Sequence, residues 1–265
     1  MKSYPTLLAS LAFAFFVPQA TTAQPWMPGF VSAELVGGWR TERGTQMTAL
    51  RVVLEDGWKT YWRAPGDAGI PPEFNWRGSH NAAEITVHWP RPHVFESAGL
   101  RTVGYLHEMI LPIEITPTDP ALDVWMAGEV SFGICREICV PVIVNVENLL
   151  QGPGNASDDI LAALAAMPEQ REGIARCAVE PVLDGVRVTA EINLPQLGRS
   201  EVALFELSGV SSWVSESISS RTGDVLISTV EIVPYDARPF DLERRDLRIT
   251  VLGGDNAVEI RGCLG

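Results

Sequence analysis

The stretch SFGICREICVPVIV, residues 131–144, holds two of the four cysteines of the chain, with three residues between them and β-branched, apolar residues beyond. Such flanks are typical of strands. In one continuous strand the Cα atoms of Cys135 and Cys139 would lie about 13 Å apart, at about 3.3 Å per residue. A disulfide requires a separation below about 7 Å. If the two cysteines pair, the chain must turn at residues 136–138, and the bond lies on a loop or hairpin tip.

Residues 24–148 show the pattern of short strands between turns. In QMTALRVVLEDGWKTYWRAPG (46–66) the chain alternates up to residue 55, turns at 56–57 and continues with Trp58, Thr60 and Trp62 on one face of the next strand. The segment RAPGDAGIPPEFNW (63–76) has too many prolines and glycines for a regular element. Further strand candidates are AEITVHWP (83–90), MILPIEITP (109–117) and VPVIVNVE (140–147).

Residues 152–172 differ from their surroundings. GPGNASDDILAALAAMPEQ (152–170) offers Ser157 as an N-cap, two aspartates in the first turn, an Ala/Leu run and a closing proline. These features predict a short helix inside a linker. From about residue 173 strands resume at a spacing of about ten residues without helices between them, which favours a β-sandwich in each half. The predicted strands there are RVTAEINLP (187–195), EVALFELSG (201–209), DVLISTVEIV (224–233) and DLRITVLGG (246–254).

The N-terminus predicts the compartment. It has one lysine, an apolar run over residues 7–17 and small residues before Gln24, the layout of a secretory signal peptide cleaved after Ala23. A retained anchor is the alternative, but the run is shorter than the roughly 20 residues of a membrane-spanning helix. We therefore predict a signal peptide over residues 1–23, periplasmic export and a soluble mature protein, in a space where disulfides persist.

The predicted organisation is a first sandwich with the cysteine pair over residues 24–151, a linker over 152–172 and a second sandwich over 173–265. The chain is acidic, with a net charge of −13. Removal of Lys2 with the signal peptide changes this to −14, from 19 basic and 33 acidic residues. Such a surface repels nucleic acid and anionic lipid, so neither is expected as a partner.

The other two cysteines, Cys177 and Cys263, bracket the second predicted sandwich. A bond between them would close a loop of about 85 residues, and chain entropy gives about 4–5 kcal/mol for loops of that order. We therefore predict a buried structural disulfide. A bond between Cys135 and Cys139 closes a very short loop and contributes less, so stapling alone is a weak reason for it. The four histidines show no zinc or copper spacing, and no metal or other cofactor is expected.

Several motifs of the first half together resemble the periplasmic N-terminal domain of the DsbD-type thiol–disulfide reductases, and in character the suppressor-of-copper-sensitivity ScsB branch. The resemblance covers most of residues 30–148 and implies an immunoglobulin-like sandwich, with a second β domain after it in the ScsB-like branch. The fold expected is therefore all-β, with two immunoglobulin-like sandwiches joined by a short helical linker. The motifs are GWKTYWRAPGDAGIPPEFNW (57–76), WPRPHVF (89–95), VGYLHEMILPIEI (103–115) and CREICVPV (135–142).

The resemblance also implies a function. Members of the family relay electrons from a membrane-embedded thiol reductase to periplasmic thioredoxin-fold proteins, through a cysteine pair that cycles between dithiol and disulfide. Cys135 and Cys139 match that pair, and Cys139, followed by Val140-Pro141, matches the cysteine that bonds to partners. The segment 93–105 occupies the place of a cap loop over the pair. Its candidate residues are His93, Phe95, Glu96 and Tyr105.

The chain departs from the best-known members in three ways. The spacing of its cysteines is shorter, and the aromatic residue over the pair has no clear match beyond Phe95. The membrane domain and the terminal thioredoxin domain of those members are not expected here, so separate partners would supply and receive the electrons. Two other hypotheses remain open: a non-catalytic periplasmic binding or adaptor module with structural disulfides, and a copper-handling protein acting through its thiols. The aromatic residues of the first half are expected in the core rather than on a docking face. They are Trp58, Tyr61, Trp62, Phe74 and Trp76.

Overall fold

A computed structural model describes residues 27–66, 69–97, 99–236 and 240–265. The predicted signal peptide lies outside these ranges. The described part of the chain is nearly all strand. The first-half strands are β1 (Phe30–Arg40), β2 (Gln46–Leu54), β3 (Lys59–Tyr61), β4 (Glu73–Asn75), β5 (Glu84–Val87), β6 (His93–Ser97), β7 (Leu100–Leu106), β8 (Glu108–Thr116), β9 (Val124–Cys135) and β10 (Cys139–Leu150).

One helix, α1 (Asp158–Ala165), separates these strands from those of the second half, where a short 3₁₀ turn (Arg244–Asp246) also occurs. The second-half strands are β11 (Glu169–Arg171), β12 (Ala175–Val182), β13 (Gly185–Asn193), β14 (Glu201–Leu207), β15 (Ser212–Val214), β16 (Ile218–Thr222), β17 (Val225–Pro234), β18 (Leu247–Gly253) and β19 (Asn256–Arg261).

The first sandwich consists of two antiparallel sheets. One has the strand order β1-β2-β8-β5; the other is six-stranded, with the path β10-β9-β3-β7-β6 and with β4 also paired to β9. Alternation along β10 shows how the sequence chooses its faces: Val142, Val146 and Leu150 are buried, whereas Ile143 between them is exposed. Burial of each such apolar side chain contributes about 1.5–3 kcal/mol, which fixes the register of a strand with one buried face.

Large apolar side chains from both sheets fill the core of the first sandwich. Phe132, in β9, and Trp62, directly after β3, come from the six-stranded sheet. Leu111 and Ile113, in β8, come from the facing sheet. Trp58 is also buried in this cluster, and Phe74 and Trp76 pack against it. These aromatic residues therefore lie in or against the core, as sandwich packing requires.

The helix α1 packs on the first sandwich. Its one buried residue, Ile160, contacts the outer side of the four-stranded sheet at Met47 and Ala49. Ser157 occupies the N-cap position, but its side chain makes no capping hydrogen bond. Tertiary packing of Ile160 and the acidic first turn therefore stabilise the helix without the expected cap. No helix within the described residues has the length and apolar character needed to cross a bilayer.

The second sandwich pairs a sheet of order β11-β19-β18-β14 with a sheet of order β12-β13-β17-β15, to which β16 is added along β17. Residues 169–171 were expected in the linker, but they pair as β11 in parallel with β19. The two sheets enclose a separate core that includes Val188, Ile192, Ile249 and Ile260. The predicted all-β fold of two sandwiches is therefore confirmed.

The two sandwiches are in contact through both apolar and charged groups. Leu252 and Ala257 of the second sandwich belong to the core cluster of the first. Arg63, at the end of β3, places its Nε 3.0 Å from a Glu206 carboxylate oxygen and its Nη2 2.5 Å from Glu259 Oε2. Its guanidinium carbon also lies 3.9 Å from the centroid of the Trp62 ring. This cluster, which we call the Arg63 clamp, fixes the end of β3 to the second sandwich.

Candidate functional site

The cysteine pair closes the tip of the β9–β10 hairpin. Cys135 and Cys139 lie directly opposite each other in the ladder, with Cα atoms 4.1 Å apart, and form a disulfide. The chain turns over the exposed residues 136–138, and the backbone N–H of Arg136 donates to the carbonyl of Ile138 at 3.2 Å. The long ladder below the turn holds the two sulfurs in a fixed place at one end of the sheet.

The two cysteines differ in exposure. Cys135 is buried, at 8% of its full exposure, whereas Cys139 is exposed. β10 is also the edge strand of its sheet, and Pro141, two residues beyond Cys139, lacks an N–H to donate. A partner approaching from solvent therefore meets Cys139 first.

Tyr61 lies against the sulfur of Cys139. Its hydroxyl is 3.2 Å from Cys139 Sγ, and its side chain is almost fully buried although it lies on the sheet face opposite to Trp62. Burial raises the pKa of the Tyr61 phenol above its ordinary value, so the hydroxyl keeps its proton and remains a donor. Tyr61 was expected as a core aromatic; the structure places it beside the cysteine pair instead. The alternation that puts Trp58, Thr60 and Trp62 on one face already assigned Tyr61 to the other.

Lys59 shares that outer face and lies directly opposite Cys135 in the β3–β9 ladder. Its ammonium group donates to Thr102 Oγ1 at 2.9 Å and lies 5.0 Å from the centroid of the Phe95 ring. Burial lowers the pKa of Lys59. The lysine side chain therefore links the strand beside Cys135 to the β6–β7 hairpin.

The predicted cap residues lie in that hairpin. His93, Phe95 and Glu96 belong to β6, whose partner β7 pairs with β3 in the same sheet. The segment is thus a paired extension of the sheet rather than an irregular loop, and Ala98 at its tip lies outside the described residues. Of these residues, Phe95 contacts Lys59, which lies opposite Cys135 in the ladder. The role of Phe95 as a cap stays a prediction.

Tyr105 does not fit a cap. Its side chain belongs to the core cluster of the first sandwich, and its hydroxyl donates to the carbonyl of Pro90 at 2.8 Å. Burial raises the pKa of Tyr105 far above its ordinary value, against the opposing charge of Arg63. The physical reason is the alternation of β7, which turns position 105 toward the core and its neighbour Gly104 toward the cysteine face.

The second disulfide joins Cys177 in β12 to Cys263 after β19, across a sequence separation of 86 residues. Cys177 is buried, and its N–H donates to the carbonyl of Leu264 at 2.8 Å. The bond therefore fastens the C-terminal end of the chain to the first long strand of the second sandwich.

The described residues contain no group of three or more His, Cys, Asp or Glu side chains that could hold a metal ion. Two of the histidines have other neighbours: His88 Nε2 is 3.1 Å from Glu114 Oε2, and His107 Nδ1 is 3.6 Å from Asp56 Oδ1. The chemistry that the site offers is that of its sulfurs and of the Tyr61 hydroxyl.

Comparison with known proteins identifies the first sandwich. The family model described as "Thiol:disulfide interchange protein DsbD, N-terminal" matches residues 31–151. The chain carries a DsbD N-terminal domain. This confirms the resemblance seen in the sequence and, at the level of the family, supports thiol–disulfide interchange. The match ends just after β10, so the DsbD N-terminal domain contains both Cys135 and Cys139, and the second sandwich lies beyond it.

A solved structure extends the likeness to the second sandwich. The crystal structure of the N-terminal periplasmic domain of ScsB from Proteus mirabilis matches with a TM-score of 0.65 and 22% sequence identity. The match covers 88% of this chain and 91% of that chain, more than the DsbD N-terminal domain alone occupies. At this identity the likeness establishes the fold of both sandwiches. No curated protein matches the sequence.

Proposed function

We propose that this protein exchanges disulfides in the periplasm and relays electrons from a membrane-embedded thiol reductase to thioredoxin-fold proteins, through Cys135 and Cys139. One observation carries the proposal: the disulfide includes an exposed cysteine, Cys139, on the edge strand of the sheet, with a protonated tyrosine hydroxyl 3.2 Å from its sulfur. Family membership of the first sandwich supports the type of reaction. The partners and the compartment are inferred from the family resemblance and from the predicted signal peptide.

The proposed reaction needs no cofactor. A thiolate of the reducing partner attacks Cys139 Sγ, the Cys135–Cys139 bond breaks, and Cys135 leaves as a thiolate that takes up a proton. The second thiol of the partner, as a thiolate, attacks its own sulfur in the mixed disulfide and releases Cys139, which takes up a second proton. Two electrons and two protons have then passed to the pair, and the same steps in reverse reduce a thioredoxin-fold disulfide.

Tyr61 suits this chemistry because a hydroxyl beside a sulfur stabilises the thiolate more than the thiol. A hydrogen bond to the charged form lowers the pKa of the acid that produces it. The Tyr61 hydroxyl would therefore favour Cys139 both as an attacking thiolate and as a leaving group. The buried position of Cys135 leaves it the role of resolving the mixed disulfide from within the protein.

The surface around Cys139 suits contact with another protein. Ile138 at the turn and Ile143 on β10 are 64% and 62% exposed, and Pro141 lies between Cys139 and Ile143 on the same face. Transient redox complexes bury small interfaces, and the centre of a protein interface is more apolar than its rim, so exposed apolar side chains beside the reactive residue suit such a contact.

Trapping with single-cysteine variants tests the proposal. Cys135→Ala leaves Cys139 free to hold a partner in a mixed disulfide that no internal thiol can resolve. We expect it to accumulate a disulfide-linked complex with a purified thioredoxin-fold oxidant such as thioredoxin itself, measured on non-reducing gels and by mass spectrometry. Cys139→Ala should trap little, and the wild-type protein supplies the untrapped control.

Two results would contradict the proposal. Trapping by Cys139→Ala alone would reverse the roles of the two sulfurs. No trapping by either variant, in the periplasm or with purified proteins, would favour the non-catalytic module with structural disulfides.

A further inference from the structure

The sheet face that carries the cysteine pair is also covered by a residue of the irregular segment between β3 and β4. Ile70 lies over Gly133, where a Cβ atom built on the glycine would be 2.7 Å from Ile70 Cβ and 3.1 Å from Tyr61 Cε2. Gly133 is two residues from Cys135 on the same sheet face and directly opposite Pro141 of β10. Because residue 133 has no side chain, Ile70 and the Tyr61 ring can both pack against its backbone.

This arrangement explains the burial of Tyr61. The residue faces outward from the sheet, yet only 1% of its surface is exposed. Ile70 and the Tyr61 ring both lie within 3.2 Å of the position that a Gly133 Cβ would occupy, and Ile70 is itself 39% exposed. Ile70 therefore stands between this part of the sheet face and solvent. A tyrosine that is held in this way keeps its hydroxyl at Cys139 and keeps water from the ring, which accounts for the raised phenol pKa.

We infer that Ile70 is a positioning residue of the cysteine pair: seated on Gly133, it holds the Tyr61 hydroxyl against Cys139 and closes the inner side of the disulfide. This rests on the proposed function, because it concerns the same two sulfurs. It assigns the shielding of the pair to the Pro/Gly-rich segment around Ile70, in addition to the β6–β7 hairpin where the sequence placed it.

The second sandwich braces the chain on which Ile70 lies. The segment leaves β3 at Arg63, which the Arg63 clamp fixes to Glu206 and Glu259. It then runs along β7, where Val103 donates its N–H to the carbonyl of Pro65 at 2.9 Å. The adjoining Arg101 donates its own backbone N–H to Glu216 Oε1 at 2.8 Å.

A cleft of about 430 Å³ separates this segment from β15 and the residues that follow it. Pro65, Gly69 and Pro71 line the cleft on one side, and Trp213 and Glu216 line it on the other. The second sandwich therefore holds the segment at its attachment points rather than packing solidly behind it. Its role toward the cysteine pair is to keep Ile70 on Gly133.

The test is the pH dependence of alkylation of Cys139 by iodoacetamide, in the Cys135→Ala background with the second disulfide intact. The plateau at high pH reports access to the sulfur, and the midpoint reports the thiol pKa. Ile70→Ala should raise the plateau rate about fivefold and move the midpoint upward by about half a pH unit, because the sulfur becomes more accessible and the Tyr61 hydrogen bond is weakened. Ile143→Ala, an equal truncation of an exposed isoleucine on β10, is the matched control.

A second comparison separates positioning from general loosening. In a Tyr61→Phe background, Ile70→Ala should still raise the plateau but no longer move the midpoint, since the hydroxyl through which it acts is gone. The conservative Ile70→Val should restore most of both values. If Ile70→Ala and Ile143→Ala give the same profile, or if the midpoint moves equally with and without the hydroxyl, the inference is wrong.

Glu216→Ala tests the brace, with Glu231→Ala, a half-exposed glutamate of the same sandwich with a similar side-chain exposure, as its control. A smaller change in the same direction as Ile70→Ala supports the brace, and a profile equal to that of the control overturns it. These measurements use no partner protein. A failure to trap partners would therefore contradict the proposed function but leave the alkylation result unchanged. Trapping together with an alkylation profile that Ile70→Ala does not alter would contradict only the inference about Ile70.

Discussion

The two disulfides of this chain are the same bond in two opposite settings. Cys135–Cys139 joins residues 4 apart at an exposed hairpin tip, whereas Cys177–Cys263 joins residues 86 apart and fastens the end of the second sandwich. The chain-entropy model gives the long loop more than twice the stabilisation of the short one. The comparison shows that the length of the closed loop and the exposure of the cysteines distinguish a disulfide that stabilises the fold from one that can react with a partner.

The largest expected effect is on stability. Replacing both Cys177 and Cys263 by alanine should lower the free energy of unfolding by about 4.6 kcal/mol, against about 2 kcal/mol for the Cys135→Ala, Cys139→Ala double variant. Denaturant unfolding followed by circular dichroism measures both. Equal losses, or a larger loss from the hairpin pair, would break the comparison.

The next effect is on redox potential. We expect the hairpin pair to have a reduction potential within about −120 to −270 mV, the span of thiol–disulfide exchange proteins. The second disulfide should have a reduction potential below about −300 mV, so it should remain oxidised while the hairpin pair is reduced. Equilibration in glutathione buffers, followed by thiol labelling and peptide mass mapping, reads both bonds in one sample. The second bond serves as an internal reference. Reduction of the two pairs at one potential would contradict the assignment.

Substitution of Arg63 tests how much the contact between the two sandwiches contributes to the free energy of unfolding. Arg63→Ala removes a cation from Glu259, whose side chain is almost fully buried, and the loss of one member of a buried pair costs up to about 3 kcal/mol. Arg248 and Arg261 remain within 4 Å of Glu259 and offset part of this cost. Chemical denaturation should show this loss. Arg187→Ala, which removes an exposed pair with Glu231, should cost less than about 1 kcal/mol. Equal losses would show that the clamp contributes no more than a surface pair.

The same cluster predicts a pH dependence. Burial opposes ionisation of Glu259, but the charges of Arg63 and Arg248 and hydrogen bonds from Gln170 and Arg261 outweigh it, so the pKa of Glu259 is lowered. A carboxyl with a lowered pKa in the folded state adds stability that is present above its unfolded pKa of about 4.5 and is lost as the pH falls through the folded value. Glu259→Gln should therefore reduce the acid sensitivity of unfolding in that range. An unchanged pH profile relative to Glu231→Gln would contradict this.

The smallest effect concerns the hydroxyl beside the sulfur. Tyr61→Phe should raise the pKa of the Cys139 thiol by up to about one unit, the size expected for one hydrogen bond to a charged group. The alkylation profile in the Cys135→Ala background measures it, and Tyr235→Phe, at an exposed tyrosine, is the control. A thiol pKa that stays the same in Tyr61→Phe would show that the contact to Cys139 has no role in thiolate formation.

Much of the candidate site follows from local sequence rules. The spacing of Cys135 and Cys139 requires a turn if they are to pair, and the β-branched flanks supply the two strands of the hairpin. Alternation around Trp58 and Trp62 likewise separates a core face from the face that carries Tyr61. The helix at 158–165 also follows from its composition, although the expected Ser157 cap bond does not form.

The sequence alone could not place the partners of the cysteines across space. Ile70 lies in a segment without periodicity, and its contact with Gly133 depends on where β4 joins β9. The cap residues show the same limit: the position of 93–105 in the sequence suggested a loop over the pair, but pairing of β7 with β3 turned Tyr105 into the core. By itself the sequence determined the strands, the hairpin and the family, because periodicity and short spacings are local properties. Only the tertiary structure decided which side chains surround the sulfurs and that Arg63 joins the two sandwiches. Those contacts are made between residues far apart in the chain.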